Sequence, residues 1–217
     1  MGDGVRTEGA VRTEGAVDAE GAVRVRRIAD GDWDAIVELE RDAYAGLGLS
    51  EGRAALQSRA CTSPGTCFAL DVGFRTAGYV LALPYPAFRY PDLERAESAA
   101  ALPALTGPPQ SAGNLHLHDI VIARPLRRRG LARILLHRLV RTARARGDER
   151  ISLVAVGGSA RFWSARGFMP YPHVLPADSG YGTDAVYMSK PVRGVPGALS
   201  GPGSAPLYAP PLPHEVS

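Results

Sequence analysis

From Val23 onward the chain alternates in a way that predicts regular structure. Val23-Arg24-Val25-Arg26-Arg27-Ile28 interleaves β-branched and charged residues and reads as a first strand. Asp30, Gly31 and Asp32 supply N-capping residues, and Trp33, Ile36, Val37, Glu40 and Tyr44 then fall at helical spacing, with Gly46 as a stop. A second short helix is predicted over Ser50 to Ala60. Cys67 to Val72 and Ala77 to Leu83 are β-rich runs separated by Gly73 and a few turn formers, the signature of an antiparallel hairpin. Pro84 to Gly113 follows, rich in Pro and Ala, with a short helix predicted over Asp92 to Ala101. A connection of that length is a functional loop or a disordered one.

Leu115 to Ile122 is the clearest strand, and Pro125 marks its exit. A helix is predicted from Arg128 to Arg146, because Leu131, Leu135, Leu139 and Ala143 recur every four residues, Ile134 and Leu136 widen the stripe, and Gly147 can cap the end. Then come a strand over Ile151 to Val156, a Gly157-Gly158-Ser159 turn, and a short helix through Arg166 stopped by Gly167. Two extended pieces close the pattern, around Met169 to Val174 and Ala185 to Ser189. Strands and helices mix, with a β-α-β crossover near the centre, so the predicted fold class is α/β: a sheet of mixed strand direction flanked by helices.

The pattern covers residues 23–192, which suits one domain of a 217-residue chain. Residues 1–22 hold a six-residue near-repeat, Val5 to Ala10 and Val11 to Ala16, degenerating over Val17 to Ala22. A period that short cannot bury a face and predicts disorder. Residues 193–217, dominated by Pro, Gly, Ser and Ala, predict a flexible tail.

Composition narrows the function classes. Hydrophobic residues make up 45% and charged residues 22%, no run approaches the ~18 apolar residues of a membrane span, and the first thirty residues lack the apolar core of a secretory signal. A soluble, cytoplasmic protein without membrane contact is the expectation. Two cysteines, Cys61 and Cys67, can make neither a disulfide scaffold nor a Cys-rich zinc site, so they are expected reduced, and no metal is expected. The net charge of +3 does not by itself imply nucleic acid as a partner, but Arg124 to Arg150 holds ten arginines against two acids. That stretch fits an anionic ligand or a solvated helix face.

Candidate chemistry centres on Arg127-Arg128-Arg129-Gly130-Leu131-Ala132, where a strand gives way to a helix. Amides at a helix start lack carbonyl partners and hold phosphate well. Gly130 and Ala132 let a ligand approach the backbone, and the arginines add charge-assisted contacts.

The pattern Arg/Gln-x-x-Gly-x-Gly/Ala after a hydrophobic strand, met here by Arg127, Gly130 and Ala132, resembles motif A of the GNAT family of N-acetyltransferases. Downstream, Ser159-Ala-Arg-Phe-Trp-Ser-Ala-Arg-Gly-Phe168 resembles that family's second marker, an aromatic pair a few residues before Gly-Phe. The resemblance spans about Val23 to Lys190. It implies the GNAT fold, with six or seven strands, and acetyl-CoA or another acyl-CoA as cosubstrate. By family analogy the backbone of Ile120, Val121 and Ile122 faces the acyl and pantetheine part. The pyrophosphate would sit on Arg127, Arg128, Arg129, Gly130, Leu131 and Ala132, with Arg133 at its edge. Ser159 and Phe162, at the start of the following helix, would meet the far side of the arm, which enters where two central strands splay.

Acyl transfer to an amine requires a base, since an ammonium must lose a proton before it attacks a thioester. His116 and His118 alternate along the strand and, in a regular strand, share one face about 6 to 7 Å apart, with Asp119 facing the other way. The His-x-His register resembles arylalkylamine N-acetyltransferase, and His116 falls where histone-type members carry a glutamate base. Both histidines are candidate catalytic residues; both also fit as satisfied sheet residues beside a cleft. The family's acid, a Tyr four residues before the Gly of Gly-Phe, is replaced by Trp163, which leaves Tyr171, Tyr181, Tyr187 or solvent. The expected acceptor is a small-molecule amine, with an apolar or aromatic one hinted at by Pro84 to Tyr90. An acyl carrier protein as donor, a non-catalytic CoA-binding module and a homodimer remain open at this stage.

Overall fold

The computed structural model describes residues 21–93, 113–176 and 178–192. The repeat segment, all but the beginning of the helix predicted over Asp92 to Ala101, and the Pro-rich tail lie outside them.

Seven strands form one sheet: β1 (Val23–Arg27), β2 (Phe68–Val72), β3 (Arg75–Pro84), β4 (Asn114–Ile122), β5 (Arg150–Ala155), β6 (Met169–Tyr171) and β7 (Val186–Pro191), in the order β1-β2-β3-β4-β5-β7-β6. Every neighbouring pair is antiparallel except β4 and β5, which are joined through the crossover helix α3 (Leu131–Arg146). The other helices are α1 (Trp33–Tyr44), α2 (Arg53–Thr62) and the short α4 (Ala160–Ser164).

The alternation of β3 explains the two layers. Val80 and Ala82 face a cluster that contains Leu131, Leu135, Leu139 and Ala143 of α3, the stripe read from the sequence. Tyr79 and Leu81 face a second cluster built on Trp33, Ile36, Leu56 and Ala60 of α1 and α2. Removing such side chains from water, at about 25 cal/mol per Å² of apolar surface, holds both helix layers to the sheet. Cys67 is buried in the second cluster, which pushes its thiol up to about 11, and both cysteines are free.

Several boundaries differ from expectation. The second helix starts at Arg53 rather than Ser50, and the last strands are Met169–Tyr171 and Val186–Pro191. The crossover helix begins at Leu131 rather than Arg128, because Arg128 and Gly130 adopt left-handed backbone, φ 65° and 81°, which no α-helix accommodates.

Candidate active site

β4 and β5 pair over three positions only, Asn114 with Arg150, Leu115 with Ile151 and His116 with Ser152. Beyond them the strands part, and the gap opens into a cleft of about 940 Å³. Its floor is strand surface, Leu117, Ile120 to Ile122, Leu153 and Val154; its far wall is Ser159, Phe162 and Trp163 of the α4 region; its rim is Arg124, Arg127, Arg128, Arg133 and Arg166. The turn before α3 borders it too, with Gly130, Leu131 and Ala132. Alternate left-handed residues make successive amides converge, a geometry suited to anions. Arg127 spends its guanidinium on the Ile122 carbonyl (Nε to O 3.0 Å), fastening the turn to the end of β4. The charge of Arg166 is opposed first by burial and then by Arg133, so both lower its proton affinity; an anion between two such groups relieves the repulsion. A long ligand with a polyanionic end and a slender neutral arm fits this cleft.

β4 is not regular. Leu81 of β3 pairs with Asp119 but Ala82 pairs with Leu117, so His118 is an extra residue, a β-bulge. The bulge resets the alternation. Leu117 and Ile122 lie in the α3-side core, whereas Asp119 and Val121 turn toward α1. The expectation that Asp119 faces away from the histidines is therefore corrected: His118 and Asp119 line one small chamber of about 40 Å³, together with Glu40, Tyr44, Leu49, Glu51, Leu93, Val154, Val156 and Tyr181. Tyr44, His118, Val154 and Val156 line both this chamber and the large cleft and so form the neck between them.

Charges around the neck are set by burial and pairing. His118 Nε2 lies 2.7 Å from Glu51 Oε2, and Glu51 is also held by the buried Arg59, whose Nη2 donates to Oε1. Burial opposes the charge of Glu51, but the hydrogen bonds and attraction of His118 and Arg59 outweigh it and bring its carboxyl down to about 2. Asp119 accepts a hydrogen bond from the Tyr79 hydroxyl at 2.9 Å and has the Tyr44 hydroxyl beside it; burial raises its carboxyl, and raises both phenols further. Glu40, also raised by burial, accepts from the Ser50 hydroxyl and the Glu51 amide, both at 2.6 Å.

Of the residues predicted as functional, Ile120, Val121, Ile122, Arg127, Arg128, Gly130, Leu131, Ala132, Arg133, Ser159, Phe162 and His118 line the cleft. Arg129 and His116 do not. His116 is 1% exposed, with Nδ1 2.9 Å from the Ser152 hydroxyl and its ring stacked on Tyr187, and burial holds it well below its ordinary value. Of the tyrosines considered as acids, Tyr187 accepts from the Phe88 amide, Tyr181 donates to the Pro91 carbonyl, and Tyr171 packs edge-on against Tyr187. The aromatic stretch Pro84 to Tyr90 is likewise absorbed by packing, with Phe88 against Tyr171 and Tyr187 and Tyr90 against Tyr181. Sequence reading missed Glu51, Arg59 and Tyr44 as site residues, and nothing in their spacing announces them; Arg166 lay inside a quoted marker and could have been found.

Comparison with known proteins follows the same lines. The model of the acetyltransferase (GNAT) family matches residues 33–168. No curated protein matches the chain. Among solved structures, the GNAT-like decarboxylase GphF in complex with isobutyryl-CoA superposes with a TM-score of 0.60 at 20% identity, covering 78% of this chain and 100% of that one. The ribosomal-protein-S18-alanine N-acetyltransferase of Escherichia coli gives 0.54 at 17%, covering 83% and 100%. N-acetylglutamate synthase of Neisseria gonorrhoeae, complexed with coenzyme A and N-acetyl-glutamate, gives 0.57 at 14%, covering 80% of this chain and 36% of that one. The fold is theirs, and with a family match over well more than half its length the chain belongs to the acetyltransferase (GNAT) family.

Proposed function

We propose that the protein transfers an acyl group directly from acetyl-CoA or a related acyl-CoA to the amine of a small molecule, with His118 as the base. One observation carries this reading: the neck between the arginine-rimmed cleft and the acidic chamber is occupied by a histidine whose Nε2 is engaged by Glu51. A carboxylate at Nε2 favours the tautomer protonated there and leaves Nδ1 with the lone pair that can take a proton. Arg59 behind Glu51 fixes the carboxylate, and hence the ring. The structures of the decarboxylase and the synthase with their CoA ligands support a CoA thioester in the cleft. Glu40, Glu51 and Asp119 support an acceptor that arrives as a cation. Two free thiols are in keeping with a cytoplasmic reaction.

The chemistry asked of this chain's residues is limited. The backbone of β4 and the turn before α3 bind and orient the donor; His118 removes the proton that blocks the amine; the walls of the neck, Val154 and Val156, keep water from competing. His118→Gln is expected to lower kcat by ~10²–10⁴, with the KM for acyl-CoA little changed, in a thiol-release assay against an amine panel. Undiminished turnover would remove His118 from the base role. Running the assay with an acyl carrier thioester beside free acyl-CoA shows which donor is preferred.

A further inference from the structure

We propose that Tyr44, at the C-terminal end of α1, is the proton donor to the departing thiolate; this rests on the transferase reading above. The donor's sulfur must pass the neck, and among the described residues Tyr44 is the one tyrosine that lines both sides of it. The position after β5 where the family pattern would place an acid is filled by Trp163, buried among Phe162 and Phe168, whose indole has no usable acid proton. Tyr187 and Tyr181 bond to the 84–91 connection as Tyr44 bonds to Asp119; what sets Tyr44 apart is that neither of them lines the large cleft.

Tyr44 also has a source to refill it. Its hydroxyl stands beside the buried carboxyl of Asp119, and Asp119 lies in the chamber with His118, next in the chain. The step balances as follows. The free amine nitrogen bonds to the thioester carbon and the C–S bond breaks; the sulfur leaves with the electron pair and takes the phenolic proton of Tyr44. His118 first passes to solvent the proton it took from the ammonium; the second proton, which the new amide nitrogen sheds, then goes to His118 and returns by way of Asp119 to the phenolate. Ammonium and thioester are consumed, amide and thiol are formed, one proton is released to solvent, and the protein ends as it began. Burial, and then the negative charge of Asp119, hold the Tyr44 phenol well above its usual range, so it keeps its proton at any pH where the amine is free. The same burial raises the proton affinity of a thiolate beside it, which narrows the gap between phenol and thiol. Asp119 acts here as a positioning residue.

The test is the dependence on the leaving group. Tyr44→Phe keeps the ring and removes only the hydroxyl. With acetyl-CoA and the best amine of the panel, kcat should fall ~100-fold or more while the KM for acetyl-CoA stays within about twofold. With S-(4-nitrophenyl) thioacetate, whose thiolate leaves without a proton, the same variant should retain wild-type kcat. Tyr79→Phe, which changes the other phenol at Asp119 but lines neither cavity, should show no such selectivity between donors. Equal losses on both donors, or no loss on either, overturn the assignment. If the wild-type protein binds acetyl-CoA yet releases no thiol with any amine, the transferase reading itself falls, which is a different result from an active enzyme indifferent to Tyr44.

Discussion

Glu51 concentrates the energetics of the site in one side chain. Its carboxylate is buried between His118 and Arg59, and its value of about 2, against 4.5 for an ordinary glutamate, is a statement about stability as well as charge. Because the folded-state value is depressed, the stabilisation is complete above pH 4.5 and is lost as pH falls toward 2. Glu51→Gln should therefore lower stability at pH 7 by about 3 kcal/mol and flatten the decline between pH 4.5 and 2, both measurable by urea unfolding across that range. A variant with the wild-type pH slope would show that another carboxylate governs acid unfolding.

At the scale of elements, the contact between β3 and β4 is as tight as backbone allows. Gly78 faces Ile122, and a Cβ there would lie 2.5 Å from Ile122 Cδ1 and 2.6 Å from the Val121 carbonyl oxygen. The isoleucine tip can move; the carbonyl cannot without parting the strands. Gly78→Ala is expected to cost about 1–3 kcal/mol and to raise the KM for acyl-CoA, since Val121 and Ile122 border the cleft. Unfolding and steady-state kinetics on the one variant check both. The elements themselves were largely legible in the sequence. The stripe from Leu131 to Ala143 and its Gly147 stop gave α3, and β-branched runs bounded by turn residues gave the strands, because those signals are local. The bulge at His118 was not legible. His-x-His-Asp reads as plain alternation, and only the register against Leu81 and Ala82 shows an extra residue. For the same reason Glu51, 67 positions from His118, could not be found: it sits ahead of α2 in a stretch with no periodicity, and its partner is chosen by the packing of α2 on the sheet.

For the molecule as a whole, the neck joins two regions of opposite character. Arginines gather where α3 and the α4 region meet the cleft; carboxyls gather where α1 and the start of α2 meet the chamber. The motif around Arg127 to Ala132 made the first region readable, since it depends on neighbours in sequence. The second is assembled from Glu40, Glu51 and Asp119, which only folding brings together.

That division has a kinetic consequence. In the transfer proposed above, donor and acceptor would approach the neck from different sides, so neither would have to leave before the other enters, and neither of the two cysteines lines the neck to hold an acyl group in between. Varying both substrates should give intersecting double-reciprocal lines, the pattern of a ternary complex, and dead-end inhibition by desulfo-CoA should be competitive against the donor without being so against the amine. Parallel lines would mean that the acyl group pauses on the protein, and that the neck is a relay station instead of a meeting point.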